Sequence, residues 1–265
     1  MTFLEKIIDK KKQEVTERKL QTFGKHTRKN PIYSLHKSVH AADHISIIAE
    51  IKRASPSKGA IQMNVDILEQ AKQYEQSGAA AISVLTDESF FHGSLNDLKA
   101  VSEAVSIPVL CKDFTIDEIQ IDDAKNAGAS IILLILAALP LERFQRLYNY
   151  ATEQGLEVLC EVHNADELKD ALTVSPKIIG INNRNLKTFE VDLQTTTELV
   201  QQIDENGLTI ISESGMRTKE DAELARNAGA NTILVGETLM RSENVEKDMQ
   251  ALLQVPLSSS AKGAF

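Results

Sequence analysis

The fold class the sequence predicts is α/β, a (β/α)8 TIM barrel with a helical N-terminal extension, and three observations predict it. From residue 45 onward, eight apolar strand candidates alternate with helical patterns of about ten to thirteen residues, the alternation that βαβ units need. Three helix ends carry one short signal just before a strand: Ser77-Gly78-Ala79, Ala127-Gly128-Ala129 and Ala228-Gly229-Ala230. Charged and polar residues then interrupt the apolar pattern at strand ends, where such barrels gather their reacting groups.

Taken in order, Phe3, Leu4, Ile7, Ile8 and Val15 recur at helical spacing among Lys and Glu, which predicts an amphipathic helix over 2–20, outside the repeat. A polar, histidine-containing segment follows. Strands are predicted near 46–52, 80–85, 108–113, 130–136, 157–161, 178–182, 208–212 and 232–236. Helices are predicted at about 65–77, 94–105, 117–127, 141–154, 164–173, 193–204, 218–228 and 244–254. The glycine of each small-Gly-Ala signal supplies the left-handed cap, and the alanine lets helix meet sheet. An open doubly wound sheet is the competing architecture, but the GxGxxG of a dinucleotide fold is missing from the first turn. No linker splits the chain, so residues 1–265 are read as a single barrel domain, with 1–44 as a helical N-terminal extension and Pro256 to Phe265 as a frayed tail.

Composition narrows the function. Lys plus Arg is 29 against 38 for Asp plus Glu, a net charge of -9, which argues against a general binder of nucleic acid or anionic membrane but permits a local anion site. Cys111 and Cys160 each sit in an apolar run, so neither zinc nor a disulfide is expected, and a reducing cytoplasm fits best. The Lys-rich start has no signal-peptide core, and the longest apolar run, Ile131 to Leu139, is of strand length.

The chemistry concentrates at strand ends. In Ile47-Ile48-Ala49-Glu50-Ile51-Lys52, alternation puts Glu50 and Lys52 on one face with Ile48. Burying such a pair costs several kcal/mol per ion, roughly, before compensation, so packing alone rarely places it there. Lys112 follows the third strand in step with Leu110 and Phe114; Glu161 ends the fifth; Asn182 and Arg184 follow the sixth; Glu213 ends the seventh. If one face points inward, these side chains ring one mouth. Lys112 is then a candidate proton donor to a carbonyl oxygen, and Lys52 nearby should favour loss of that proton. Glu161 is a candidate acceptor. The competing reading pairs Lys112 with Asp113 or Glu161 and uses Glu50 and Glu213 only to neutralise lysines.

Two late turns suit a phosphate: Ser214-Gly215 after the seventh strand, and Gly236-Glu237 opening a short helix after the eighth. Ser55 and Lys58 of the first loop are candidates for the same anion, against plain solvated turns. The six histidines, His26, His36, His40, His44, His92 and His163, are read as forming no metal-binding set, so no metal is predicted; His163 is expected at an exposed helix start. Cys111 and Cys160 should pack outward against helices.

These motifs resemble, over nearly the whole chain, the indole-3-glycerol phosphate synthases of tryptophan biosynthesis. The most specific stretch is Ala49-Glu50-Ile51-Lys52-Arg53-Ala54-Ser55-Pro56-Ser57-Lys58-Gly59. Cys111-Lys112-Asp113-Phe114, Gly180-Ile181-Asn182-Asn183-Arg184-Asn185-Leu186, Ser212-Glu213-Ser214-Gly215 and Val235-Gly236-Glu237 follow in order. The resemblance implies a lyase that closes 1-(2-carboxyphenylamino)-1-deoxyribulose 5-phosphate to indole-3-glycerol phosphate, releasing carbon dioxide and water, without a cofactor and as a monomer. It implies Lys112 as general acid and Glu161 in the dehydration, with Glu50 and Lys52 assisting. Asn182 and Arg184 would orient the anthranilate end, and Phe114, Leu133, Leu186 and Leu234 would enclose its ring. Ser55, Ser214, Gly215, Gly236 and, through its backbone, Glu237 would hold the phosphate, and the N-terminal extension, 1–44, would cover the barrel mouth.

Three other readings compete. Phosphoribosylanthranilate isomerase resembles the chain in its late phosphate loops, but uses a cysteine and an aspartate where this sequence has Lys52 and Asn182. A Schiff-base aldolase would be built on Lys112, and a non-catalytic phosphate-binding barrel would leave two lysines and three glutamates without a task.

Overall fold

The computed structural model describes residues 2–20, 28–56 and 58–257; His26, Ser57 and the tail beyond Leu257 lie outside the described residues. Eight parallel strands close into a barrel: Ser46–Ile51, Ala81–Leu85, Val109–Lys112, Ile131–Ile135, Glu157–Val162, Ile178–Asn182, Thr209–Glu213 and Thr232–Val235. The first pairs with the last through Ile48 and Leu234, which removes both sheet edges. Each predicted strand falls within a residue or two of its expected place.

Alternation along each strand divides the apolar residues into two cores. Ile48, Leu110, Ile131, Leu133, Leu159, Ile178, Ile211 and Leu234 fill the barrel, whereas Ile47, Ala49, Ile51, Cys111 and Cys160 pack outward under the helices. A one-residue slip would exchange the two sets, so burial fixes the register. It also fixes that Glu50, Lys112, Glu161 and Glu213, in step with the inner set, point into the barrel.

The eight expected helices are present as Ile67–Gln76, Leu95–Ala104, Glu118–Asn126, Leu141–Glu153, Ala165–Leu172, Gln194–Val200, Lys219–Ala228 and Val245–Leu253. The glycine signal works as expected at Gly128, whose φ of 100° is left-handed. Space forbids a side chain there as well, because a Cβ would come within 2.1 Å of Ser102 Oγ.

The N-terminal helix, Phe3–Lys19, opens with a capping box between Thr2 and Glu5. Lys11, on its inner face, is buried with its ammonium 2.9 Å from Asp87 and 2.8 Å from Asp113, residues that follow the second and third strands. Burial opposes the charge, but the two carboxylates overcome this and hold Lys11 firmly protonated. Arg18 to Asp123 and Lys19 to Asp117 add ion pairs further along.

A second helix, Leu35–Ala41, was not foreseen. Its only strongly buried residues, Leu35 and Val39, join the core inside the barrel. Glu157, at the start of the fifth strand, accepts from Ser34 Oγ at 2.5 Å and Leu35 N at 2.8 Å. This helix therefore plugs the N-terminal end of the strands, opposite the mouth. The expectation that residues 1–44 as a whole cover the mouth does not hold for this part. Two apolar residues in a polar stretch are too weak a periodic signal to announce a helix.

Candidate active site

Every residue singled out for the site lines one cavity of about 840 Å³ at the C-terminal ends of the strands. Glu50, Lys52, Lys112, Glu161 and Glu213 share it with Ser55, Phe114, Leu133, Asn182, Arg184, Leu186, Ser214, Gly215, Leu234, Gly236 and Glu237. All eight barrel strands or the loops that leave them contribute, the second through Leu85.

Its floor is an ionic lattice. The Lys112 ammonium donates to Glu161 Oε2 at 2.7 Å and to Glu213 Oε2 at 3.1 Å. Lys52 donates to Glu50 Oε1 at 2.5 Å. Burial by itself would push Lys112 toward the neutral amine, but Glu161, Glu213 and Glu50 outweigh it and raise its pKa. This corrects the expectation that Lys52 would ease loss of the Lys112 proton. The carboxylates, not the second lysine, dominate the field at that nitrogen.

The two carboxylates on Lys112 differ. Burial favours the acid form of Glu161, yet Lys112 and His163 prevail and hold it well below the usual carboxylate range. Asn182 Nδ2 donates to Glu161 Oε1 at 3.1 Å. Glu213 has less compensation. Its Oε1 is buried without a hydrogen-bond partner, and burial together with the nearby charge of Glu161 pushes it up to about 7 despite Lys112. One carboxylate held ionised thus stands across an ammonium from one that titrates near neutrality.

Two glycines make room for this lattice. A Cβ on Gly180 would come within 2.1 Å of Glu213 Oε1, and one on Gly236 within 2.5 Å of Glu50 Oε1 and 2.9 Å of Lys52 Nζ. Gly236 was singled out for a phosphate, yet its lack of a side chain also admits the Glu50–Lys52 pair.

The neighbouring asparagines divide their labour by strand alternation. Asn182 faces the cavity, its Oδ1 accepting from Ser214 Oγ at 2.9 Å and from Arg184 N at 3.1 Å. Asn183 points away and is buried. Its amide donates to Ser212 Oγ, Glu213 O and Ser214 O while accepting from Thr196 Oγ1 at 2.8 Å. That network holds the turn after Glu213, where Ser214 and Gly215 both take left-handed φ, 66° and 88°. Gly236 stands at the N-terminus of the short helix Glu237–Met240, which no side chain caps. Lys58 reaches across the rim to within 3.6 Å of Glu237. Arg184 donates to Phe189 O at 3.1 Å.

Two features escaped the sequence reading. His163, expected at an exposed helix start, has a side chain only 10% exposed, with Nδ1 3.0 Å from Glu167 and Nε2 3.4 Å from Glu161. Its place two residues after Glu161, on the same strand face, was the available signal. His36 and His40 are four apart, an HxxxH spacing that was overlooked; their rings meet at 4.3 Å, and His36 Nδ1 lies 3.0 Å from Thr209 Oγ1 at the plugged end of the barrel. Among the described residues no three His, Cys, Asp or Glu side chains converge as a metal site. Phe3, Leu4 and Ile7 of the N-terminal helix also line the cavity, with Phe3 against Phe90 and Phe189 at 5.5 and 5.8 Å.

The profile of the indole-3-glycerol phosphate synthase family matches residues 4–252. The chain belongs to this family. An indole-3-glycerol phosphate synthase of Oceanobacillus iheyensis is 68% identical over 257 residues, covering 97% of this chain and 98% of that protein. One from Exiguobacterium sibiricum is 53% identical, over 95% of this chain and 97% of its own length. Among solved structures, a 3-hexulose-6-phosphate synthase superposes with a TM-score of 0.63 at 14% identity, covering 78% of this chain and 98% of its own. An N-acetylmannosamine-6-phosphate 2-epimerase from Clostridium perfringens gives 0.62 at 16%, over 86% and 100%. At those identities the two structures speak for the barrel alone. The family match sets aside the isomerase, aldolase and non-catalytic readings. Among the described residues, no helix is long and apolar enough to cross a membrane.

Proposed function

We infer that this protein closes 1-(2-carboxyphenylamino)-1-deoxyribulose 5-phosphate to indole-3-glycerol phosphate, releasing carbon dioxide and water, as a carbon–carbon lyase of tryptophan biosynthesis. In a chain of this family, the observation that carries the reading is the Lys112 ammonium, fixed between Glu161 and Glu213 at the cavity floor. The phosphate takes the rim formed by Ser55, Ser214, Gly215, Gly236 and the Glu237 backbone. The carboxyphenyl ring lies among Phe114, Leu133, Leu186 and Leu234, with Asn182 and Arg184 toward its carboxylate.

Lys112 gives its proton to the ribulose ketone oxygen while the ring carbon bearing the carboxylate attacks the carbonyl carbon. A carbon–carbon bond forms, and the carbonyl π pair becomes a hydroxyl. The bond to the carboxylate then breaks, carbon dioxide leaves, and the released electron pair restores the aromatic ring. In the dehydration the hydroxyl departs as water with a proton from Lys52, which Glu50 orients. Glu161, held ionised, accepts the proton lost from C1 as the pyrrole double bond forms. Phe3, Leu4 and Ile7 lid the mouth and exclude water. In this reading the protein acts as a cytoplasmic monomer without a cofactor.

The test is indole fluorescence on mixing protein and substrate. The wild type should generate product, and Lys112→Ala should lose about 10²–10⁴-fold in kcat while still binding a phosphate-bearing analogue. No product from the wild type would overturn the activity, and full activity in Lys112→Ala would overturn the role of that lysine.

A further inference from the structure

We propose that His163 is a positioning residue for this reaction: braced by Glu167, its ring holds Glu161 charged and aimed at the cavity when Lys112 passes its proton to the substrate. The inference rests on the ring-closing activity argued above. His163 does not itself line the cavity and acts through Glu161.

The geometry is a chain of three side chains. Glu167, in the first turn of the helix Ala165–Leu172, accepts from the His163 backbone N–H at 2.8 Å and lies 3.0 Å from ring Nδ1 with the same oxygen. Its other oxygen accepts from Asn164 Nδ2 at 2.6 Å. The acceptor on Nδ1 fixes the tilt of the ring and directs Nε2 toward Glu161 Oε1, 3.4 Å away, as a charge contact rather than an aligned hydrogen bond. Carboxylates on both sides favour the imidazolium. Burial opposes it, but the two glutamates raise the His163 pKa to about 9.

The other groups facing this cluster are few. Lys112 comes from the third strand and Glu213 from the seventh, with Glu50 beyond it. Leu136–Ala138, packed against both the fifth strand and the helix of Glu167, brings no ionisable side chain. Glu161 therefore has two cations, Lys112 and His163. When Lys112 has given up its proton, His163 is the one left to keep Glu161 anionic beside Glu213. A carboxylate that must accept a proton in the dehydration needs that charge to persist through ring closure.

The test compares the wild type, His163→Gln and Glu167→Gln by kcat and kcat/KM across pH. An opposite charge within about 4–6 Å lowers a carboxyl pKa by roughly 1–3 units. His163→Gln should accordingly move the acid limb of both profiles up by about one unit or more, and lower kcat about 10-fold or more while KM changes less. Glu167→Gln removes one of two anions holding the imidazolium, so its alkaline limb should move down from the wild-type position. His163→Lys, which restores a cation, should recover part of the acid limb. Ring NMR titration of the free protein should show His163 protonated up to about pH 9. A wild-type pH profile in His163→Gln overturns the proposal; if that variant does not fold, an unchanged profile in Glu167→Gln does so. Failure of the ring-closing activity would show separately, as a wild type that makes no indole product while the NMR titration still finds the charged ring.

Discussion

Glu213 is buried with one oxygen on Lys112 and the other unpartnered, above a glycine that leaves no room for adjustment. Replacing it with glutamine keeps the shape and removes the charge. Its folded pKa is raised from the ordinary 4.5 to about 7. A carboxyl raised on folding contributes its full stability below the unfolded pKa, and that contribution is lost as pH rises through the folded pKa. At about 1.4 kcal/mol per unit, the shift corresponds to roughly 3 kcal/mol lost between pH 4.5 and 8. Glu213→Gln does not titrate, so it should match the wild type near pH 4.5 and exceed it by about 2–3 kcal/mol at pH 8. In a barrel of this size that is a thermal midpoint roughly 5–10 °C higher. Urea denaturation of both proteins at several pH values gives the difference directly. The substitution should also lower kcat, because Lys112 loses one of the two anions that fix it, a trade of activity for stability. A difference independent of pH, or a variant less stable than the wild type at pH 8, would refute the reasoning.

Two further substitutions probe the supports of the site. Lys11→Met strips the cation from buried Asp87 and from Asp113 and should cost about 3–5 kcal/mol in urea denaturation, the range for breaking a buried pair from one side; a loss under about 1 kcal/mol would mean the clasp is solvated. Gly236→Ala places a Cβ 2.5 Å from Glu50 Oε1 and should displace the Glu50–Lys52 pair, lowering kcat/KM at least 10-fold in the fluorescence assay with little change in far-UV circular dichroism; wild-type kcat/KM would refute it.

Much of this site could be read in one dimension because strand alternation converts sequence into direction. Glu50 is in step with Ile48, and Lys112 with Leu110, so once the strands are recognised their charged ends must point where the inner apolar residues point. The motif at Glu50-Ile51-Lys52 and its companions also sufficed to indicate the family. His163 was misjudged for a physical reason. A histidine after a strand is exposed or buried according to what the next helix brings over it, and here Glu167 arrives from that helix.

Sequence alone determined the eight strand–helix units, their register and the set of residues that share the mouth, because periodicity and burial are local consequences of side-chain polarity. Only the tertiary structure decided which charges are partners. Lys112 stands between Glu161 and Glu213, which lie on strands 49 and 101 residues away, and Lys11 reaches Asp87 and Asp113 rather than solvent. Barrel closure sets those distances, and at about 3 Å in a buried site they decide which protons each group holds.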